Sequence, residues 1–341
     1  MDAPAIFSRG RRQAVSLSGE GLVRVSFAGE RSCPVVIEPR FSGLSIAEWA
    51  AAHRRLLSEY LDRHGAVLFR GFKLRDPGEF EEAIRATSDS ELLEYAYRSS
   101  PRTQVSDRIY TSTDYPNEHS IFLHNENSYQ KTWPMKVYFH CVLAASEGGE
   151  TPIADIRRIY ARVNPSIRER FAEKGWMYVR NFGAGFGLSW QSVFQTTDKA
   201  VVEEHCRKNG IDFEWKENDG LRTRATRPAI HKHPRTGEMV WFNHATFFHV
   251  TTLEPSVREM LRVEFAEDEL PTNSFYGDGS PIEDTVLEDL REIYRSEEVV
   301  FPWQKDDVLM LDNMLMAHGR RPYAGERKIL VGMAEPYGEA E

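Results

Sequence analysis

Hydrophobic and polar positions follow several distinct periods along this chain. In "GLVRVSFA" and "CPVVIEP" they alternate, as expected of edge strands within the first 40 residues. "SIAEWAAAHRRLLSEYLDRHG" switches to helical spacing, with Ser45 as N-cap and Gly65 as the stop. "AVLFRGF" reads as a buried strand, and "DPGEFEEAIRAT" as a helix with Pro77 near its start. "PMKVYFHCVLAA" is a strand bounded by Pro134 and by the turn "SEGGET". "VNPSIRERFAEKG" and "DKAVVEEHCRKNG" are short helices, each stopped by glycine, and "EMVWFNHATFFHV" reads as a long aromatic strand. "EPSVREMLRVEF" and "IEDTVLEDLREIYRSEEV" are helices. "DDVLMLDNMLMAHGR" and "RKILVGMAEPY", joined through "PYAGE", read as a β-hairpin core.

Strands gather in the middle and at the end, with helices around them. No βαβ rhythm, GxGxxG turn or Walker loop is present, so a dinucleotide or P-loop fold is not expected. The pattern predicts a mainly β protein with flanking helices, built on an antiparallel barrel or jelly roll. The 341 residues exceed a typical domain, but barrels with insertions reach this size. We expect one domain over 1–341, with a core of about 60–338 and edge strands in 1–40. A possible lid insertion spans 182–225, where "GAGFGLSWQSVF" places three glycines in a short span.

Composition narrows the function. The 41% hydrophobic content supplies a large core, and the net charge of −9 argues against nucleic acid as a partner. Three cysteines, Cys33, Cys141 and Cys206, have no metal-site spacing, which fits reduced thiols in a cytoplasmic protein. No run approaches the ~18 apolar residues of a membrane span, and no secretory signal opens the chain.

Candidate chemistry lies in "IFLHNENSYQKTWPMKVYFHC". Strand residues two apart share a face, so His124 and Glu126 can present an imidazole and a carboxylate to one point. Alone, this HxE pair is a weak signal. His318, after the apolar run "VLMLDNMLMA", supplies a third ligand. Two histidines and one carboxylate leave three positions open on a metal, as in non-haem Fe(II) oxygenases. Arg327 opens the next strand and suits a bidentate clamp for a dicarboxylate, and the Thr151 hydroxyl can add a hydrogen bond. The other nine of eleven histidines, His244 and His249 among them, read as solvated or hydrogen-bonded.

In order, "AVLFRGF", "TSTDYPNEHSIFLHNENSY", "CVLAASEGGETPIADIRRIY", "YVRNF", "HPRTGEMVWFN" and "MLMAHGRRPYAGERKIL" resemble the taurine dioxygenase-like and clavaminate synthase-like Fe(II)/2-oxoglutarate oxygenases. "HNENSY", with Glu, is similar to the amino-acid β-hydroxylases of nonribosomal peptide pathways, the syringomycin aspartyl hydroxylase type. The resemblance implies a double-stranded β-helix, Fe(II) on His124, Glu126 and His318, and 2-oxoglutarate on Thr151 and Arg327, with O₂ as cosubstrate. Lys328, beside Arg327, is the alternative cation. The resemblance also implies oxidation of an unactivated C–H of an amino-acid-like small molecule, free or tethered to an acyl or peptidyl carrier protein. Because Glu126 occupies the position that is small in related halogenases, hydroxylation is expected over halogenation. Desaturation, epimerisation or cyclisation by the same chemistry is the alternative, as is a non-catalytic metal-binding jelly roll.

Arg180 and Asn181 are candidates for a substrate carboxylate or amide. Phe242, Phe247 and Phe248 are candidates for lining a dry cavity. Asn125 and Asn127 would point away from the metal on a regular strand and serve a loop or an outer shell. Basic clusters at Arg157, Arg158 and Arg162, and at Arg98, Arg102 and Arg108, would suit an acidic carrier.

Overall fold

A computed structural model describes residues 21–28, 31–93, 103–106, 108–112, 115–183 and 187–338. Its largest sheet has eight strands, ordered Val23–Phe27, Val35–Pro39, Ala66–Phe69, Val308–Asp312, Thr132–Leu143, Lys328–Gly338, Ile109–Thr111 and Gln104–Ser106. Neighbours run antiparallel except Val35–Pro39 beside Ala66–Phe69. Strand alternation sends successive side chains to opposite faces. Val67, Phe69, Tyr138, Val308, Met310 and Leu330 join one apolar cluster, with Trp49, Leu61 and Phe80 from the helices. Leu68, Val137, Phe139, Leu309, Leu311 and Val331 join the other. Burial on both faces is why "VLMLD" is a continuous apolar run.

A three-stranded sheet lies across the second face, in the order Ile121–His124, Met316–Arg320, Ile153–Asp155. Phe139 of the large sheet meets His318 of the small one edge to face, at 5.0 Å between ring centroids. A four-stranded sheet, ordered Asp212–Trp215, Leu221–Arg227, Trp176–Phe182, Thr272–Tyr276, completes the β structure around the site.

The cap chemistry read from sequence is present. Ser45 accepts from the Glu48 N–H, Asp76 accepts from the Glu79 N–H ahead of Pro77, and Gly65 ends its helix at φ 73°. Four expectations need correction. The helix expected over 45–65 is two, Ile46–Ala52 and Arg54–His64, broken at His53. There the ring Nδ1 lies 2.7 Å from the Trp49 carbonyl and stacks on the Trp49 indole. The expected aromatic strand stops after Met239–Val240 and becomes a helical turn, Ala245–Phe248. Asn243 causes the change: its Oδ1 accepts from the Ala245 N–H while its Nδ2 donates to the Ala229 carbonyl. "MLMAHGR" and "RKILVGMAEPY" do not form a hairpin, because Met316–Arg320 and Lys328–Gly338 belong to different sheets. Finally, 182–225 is not a loose lid in its described part. Leu221–Arg227 pairs with Trp176–Phe182 along seven residues, and Trp190, Val193, Val202 and Cys206 enter the main core. Residues 184–186 of the glycine-bearing stretch lie outside the described residues.

Candidate metal and cosubstrate site

The small sheet assembles the triad. His318 on Met316–Arg320 is directly opposite His124 on Ile121–His124, with ring centroids 4.6 Å apart. This close pairing needs Gly319, since a Cβ there would sit 2.6 Å from the Ile121 carbonyl oxygen. The strand ends at His124, so Glu126 reaches the site from a turn and not by strand periodicity. Asn127 bends that turn at φ 57°, a conformation asparagine tolerates better than most residues. One ligand atom from each of His124, Glu126 and His318 lies within 4.8 Å of the others. His318 Nε2 is 3.8 Å from Glu126 Oε2. His124 Nδ1 is 2.8 Å from the Phe122 carbonyl, and donation to that oxygen leaves Nε2 as its lone-pair donor.

The turn is held from outside by Asn313, a buried residue that sequence reasoning missed. Its Oδ1 accepts from the Glu126 N–H at 2.8 Å, and its Nδ2 donates to the carbonyls of Glu126 and Pro134. Asn125 donates back to the Asn313 carbonyl at 2.7 Å. Asn313 sits in the link between Val308–Asp312 and Met316–Arg320, so one link passes the chain between sheets and fixes the carboxylate. An uncharged residue in an apolar run carried no signal of this.

Near the triad, Arg327 donates through Nε to the Gly149 carbonyl at 2.8 Å, and its other nitrogens reach Ser112 Oγ at 3.3 Å and Thr151 Oγ1 at 3.5 Å. Thr151 is buried and also accepts from Trp303 Nε1 at 3.2 Å. Gly149, at φ 72°, leaves the room this needs: a Cβ there would approach Arg327 Cδ to 3.0 Å. No carboxylate among the described residues forms an ion pair with Arg327. Burial, and then nearby Arg320, pull its pKa down to about 10. A cation held this way favours an anionic ligand. Lys328 is exposed, whereas Arg327 points inward; both border a cavity of about 590 Å³ that also includes Tyr115, Asn117 and Tyr323. Arg320 anchors one cavity wall, donating to the carbonyls of Tyr115, Pro116 and His119.

Beside the triad is an aromatic wall. The Phe247 ring centroid is 4.6 Å from that of His124, and Phe248 stacks on Tyr178 at 4.0 Å. Phe242 instead packs in the core against Trp133 and His231. His244, also missed in the sequence, joins this wall with its centroid 5.6 Å from that of His124. Burial, with like charge from His124 next, holds its pKa well below the usual imidazole value.

Arg180 and Asn181 separate onto opposite faces of Trp176–Phe182. Arg180 is buried on the face of Tyr178, its guanidinium carbon 5.7 Å from that ring centroid. Asn181 is structural: its amide donates to the carbonyls of Asp268 and Leu270, and its oxygen accepts from Arg222. Of the basic clusters, Arg157 is consumed by Asp155 and Glu238. Arg158, Arg162 and Arg31 converge on the single buried carboxylate of Glu297. Arg98 and Arg102 lie outside the described residues; Arg108 donates to the Leu92 carbonyl. The three cysteines are buried, and burial pushes the Cys33 and Cys141 thiols up to about 12. No helix among the described residues is long and apolar enough to cross a membrane.

Comparison with known proteins places this geometry. The profile of the taurine catabolism dioxygenase TauD, TfdA family matches residues 30–334. The dapdiamide synthesis protein DdaC of Enterobacter agglomerans is 42% identical over 301 residues, covering 88% of this chain and 91% of that protein. A clavaminate synthase-like protein of Arabidopsis thaliana is 30% identical over 320 residues, covering 89% and 93%. Among solved structures, PvcB, an Fe, α-ketoglutarate dependent oxygenase from an isonitrile synthetic pathway, superposes with a TM-score of 0.53 at 17% identity, covering 94% of each chain. A taurine dioxygenase from Burkholderia xenovorans superposes at 0.54 and 15% identity, covering 93% and 91%. The jelly-roll architecture is therefore shared, and the chain belongs to the TauD/TfdA dioxygenase family as an Fe(II)- and 2-oxoglutarate-dependent oxygenase.

Proposed function

We propose that His124, Glu126 and His318 hold Fe(II), that Arg327 and Thr151 hold the distal carboxylate of 2-oxoglutarate, and that the substrate is an amino acid or amino-acid derivative hydroxylated at an unactivated C–H. The observation that carries this reading is the largely buried triad of two imidazoles and a carboxylate, assembled near an arginine that no carboxylate among the described residues neutralises. The donor set fits the ion: three protein ligands on one side leave room for a keto acid and O₂. When bound, iron would let O₂ serve as the oxidant, one oxygen atom entering succinate as 2-oxoglutarate loses CO₂ and the other entering the hydroxylated product.

The protein's own residues do the rest. The Phe122 carbonyl fixes the His124 tautomer, and Asn313 holds the Glu126 turn in place. Arg327 orients the cosubstrate by pairing with the carboxylate farthest from the metal. Phe247 and Phe248 keep water from the reacting carbon. Arg180, buried on the face of Tyr178, is a second candidate to receive a substrate carboxylate. The amino-acid reading draws on the 42% identity to a dapdiamide synthesis protein, which also suggests secondary metabolism. A carrier-tethered substrate fits the surface at Glu297, where one carboxylate shared by three arginines leaves excess positive charge for an acidic carrier. A cytoplasmic setting fits the three buried free thiols.

The test is succinate release measured across the twenty L-amino acids, free and as carrier-protein thioesters. Stimulation by at least one, lost in His124→Ala and His318→Ala, is expected. No stimulation by any would remove the amino-acid reading.

A further inference from the structure

His244 is an ionisable neighbour of the triad that the proposed metal and cosubstrate contacts do not use. It is 3% exposed, and the aromatic rings of Tyr129, Phe247 and Phe248 surround it. Its Nδ1 lies 2.6 Å from Ser128 Oγ, two residues beyond Glu126. Its Nε2 makes no hydrogen bond among the described residues.

The tautomer follows from counting donors. Ser128 is buried too, and His244 is the partner its hydroxyl has. If Nδ1 carried the proton, the serine proton would be buried without an acceptor, at a cost of roughly 1–3 kcal/mol. If the serine O–H donates to Nδ1, both groups are satisfied and the proton sits on Nε2. The site therefore holds a fixed N–H donor, set in an apolar wall beside His124. An N–H donor in an apolar wall is completed only by a polar ligand. In the reading above, Arg327 and Thr151 take the distal carboxylate of 2-oxoglutarate. The open donor is left for the other organic reactant.

We propose that His244 is a substrate-binding residue, its Nε2–H donating to a carboxylate or carbonyl oxygen of the amino-acid substrate and so fixing which C–H faces the metal. This rests on the amino-acid reading of the site given above. One good hydrogen bond from a pre-oriented donor predicts a large effect on substrate KM and on coupling, with little on metal or cosubstrate.

The experiment compares wild type with His244→Ala, His244→Gln and Ser128→Ala, loaded with Fe(II) and 2-oxoglutarate. The probe is whichever of the twenty L-amino acids gives the strongest succinate release in wild type. For His244→Ala, the anaerobic visible band and the 2-oxoglutarate affinity should stay within about twofold. Its amino-acid KM should rise about tenfold or more, and more succinate should form per hydroxylated product. His244→Gln keeps an N–H donor and should recover most of the loss; Ser128→Ala should fall between. An unchanged KM in His244→Ala overturns the proposal. So does loss of the visible band, which would make His244 a support of the metal instead. ¹⁵N NMR of the histidines gives a substrate-free reading: a neutral ring protonated at Nε2 supports the proposal, and one protonated at Nδ1 overturns it. If wild type responds to no amino acid, the substrate-class reading fails by itself, and the tautomer still decides for or against the donor.

Discussion

The two faces of the eight-stranded sheet are built on opposite terms. Under the helices, buried polar side chains find partners within the protein. Lys136 Nζ donates to the Thr87 carbonyl and to Glu335, and the Thr87 hydroxyl donates to Tyr138. Facing the small sheet, the protein buries Glu126, His318, Thr151 and His244, and among the described residues no carboxylate pairs with Arg327. The first face is ordinary core, where burial of Phe69, Phe80 and Met310 stabilises the fold. The second carries the polar groups proposed above to meet iron, cosubstrate and substrate. Both faces bury apolar core, and the second also holds buried polar groups at some expense in stability.

Four substitutions probe that contrast. The largest effect is expected at the triad: His318→Ala should remove the visible band of the Fe(II)–2-oxoglutarate complex and all stimulated succinate release, while thermal unfolding of the metal-free protein changes little. A persisting band would move the ligand role elsewhere. Phe80→Ala, on the helical face, should do the reverse. It should cost about 3–5 kcal/mol of stability by denaturant titration and leave 2-oxoglutarate affinity unchanged. Arg327→Ala should weaken 2-oxoglutarate binding about 100-fold, or ~2.7 kcal/mol. It should barely lower the unfolding temperature of the empty protein, because it also removes an unneutralised buried cation. A clear drop in that temperature would mean the guanidinium is structural; unchanged affinity would pass its role to Lys328.

The smallest effect tests the exception on the helical face. His140 is buried against Phe80, and neither ring nitrogen has a hydrogen-bond partner. Burial lowers its pKa to about 4. The folded state thus disfavours the proton that the unfolded chain accepts near 6.5, so stability is full above that value and falls as pH drops from 6.5 toward 4. His140→Leu should raise stability by about 1 kcal/mol at pH 8 and by more at pH 5. Equal gains at both pH values would contradict a neutral buried imidazole.

Legibility followed locality. The cap at Ser45, the stop at Gly65, Pro77 at a helix start and the apolar strands could be read directly, because each depends on residues a few positions apart. The HxE pair was found by a strand argument although Glu126 lies past the strand end; the spacing survived because the turn brings the carboxylate to the same point. "EMVWFNHATFFHV" misled for the opposite reason. Its β-prone aromatic content is overridden by the Asn243 side chain, and the helical turn that results sets His244, Phe247 and Phe248 around His124. Asn181 looked available for substrate because no local pattern announces a bond to Asp268, 87 residues away.

By itself, the sequence determined which residue types could meet a metal and a dicarboxylate, and the family to which their order belongs. Tertiary structure alone decided how they meet. It set His318 opposite His124, and it gave Glu126 its hold through Asn313, 187 residues away. It also turned Arg327 inward and made His244 a neighbour of His124. The reason is physical: caps and periodicity act over a few residues, whereas a buried polar atom takes whichever partner the packed sheets bring to it.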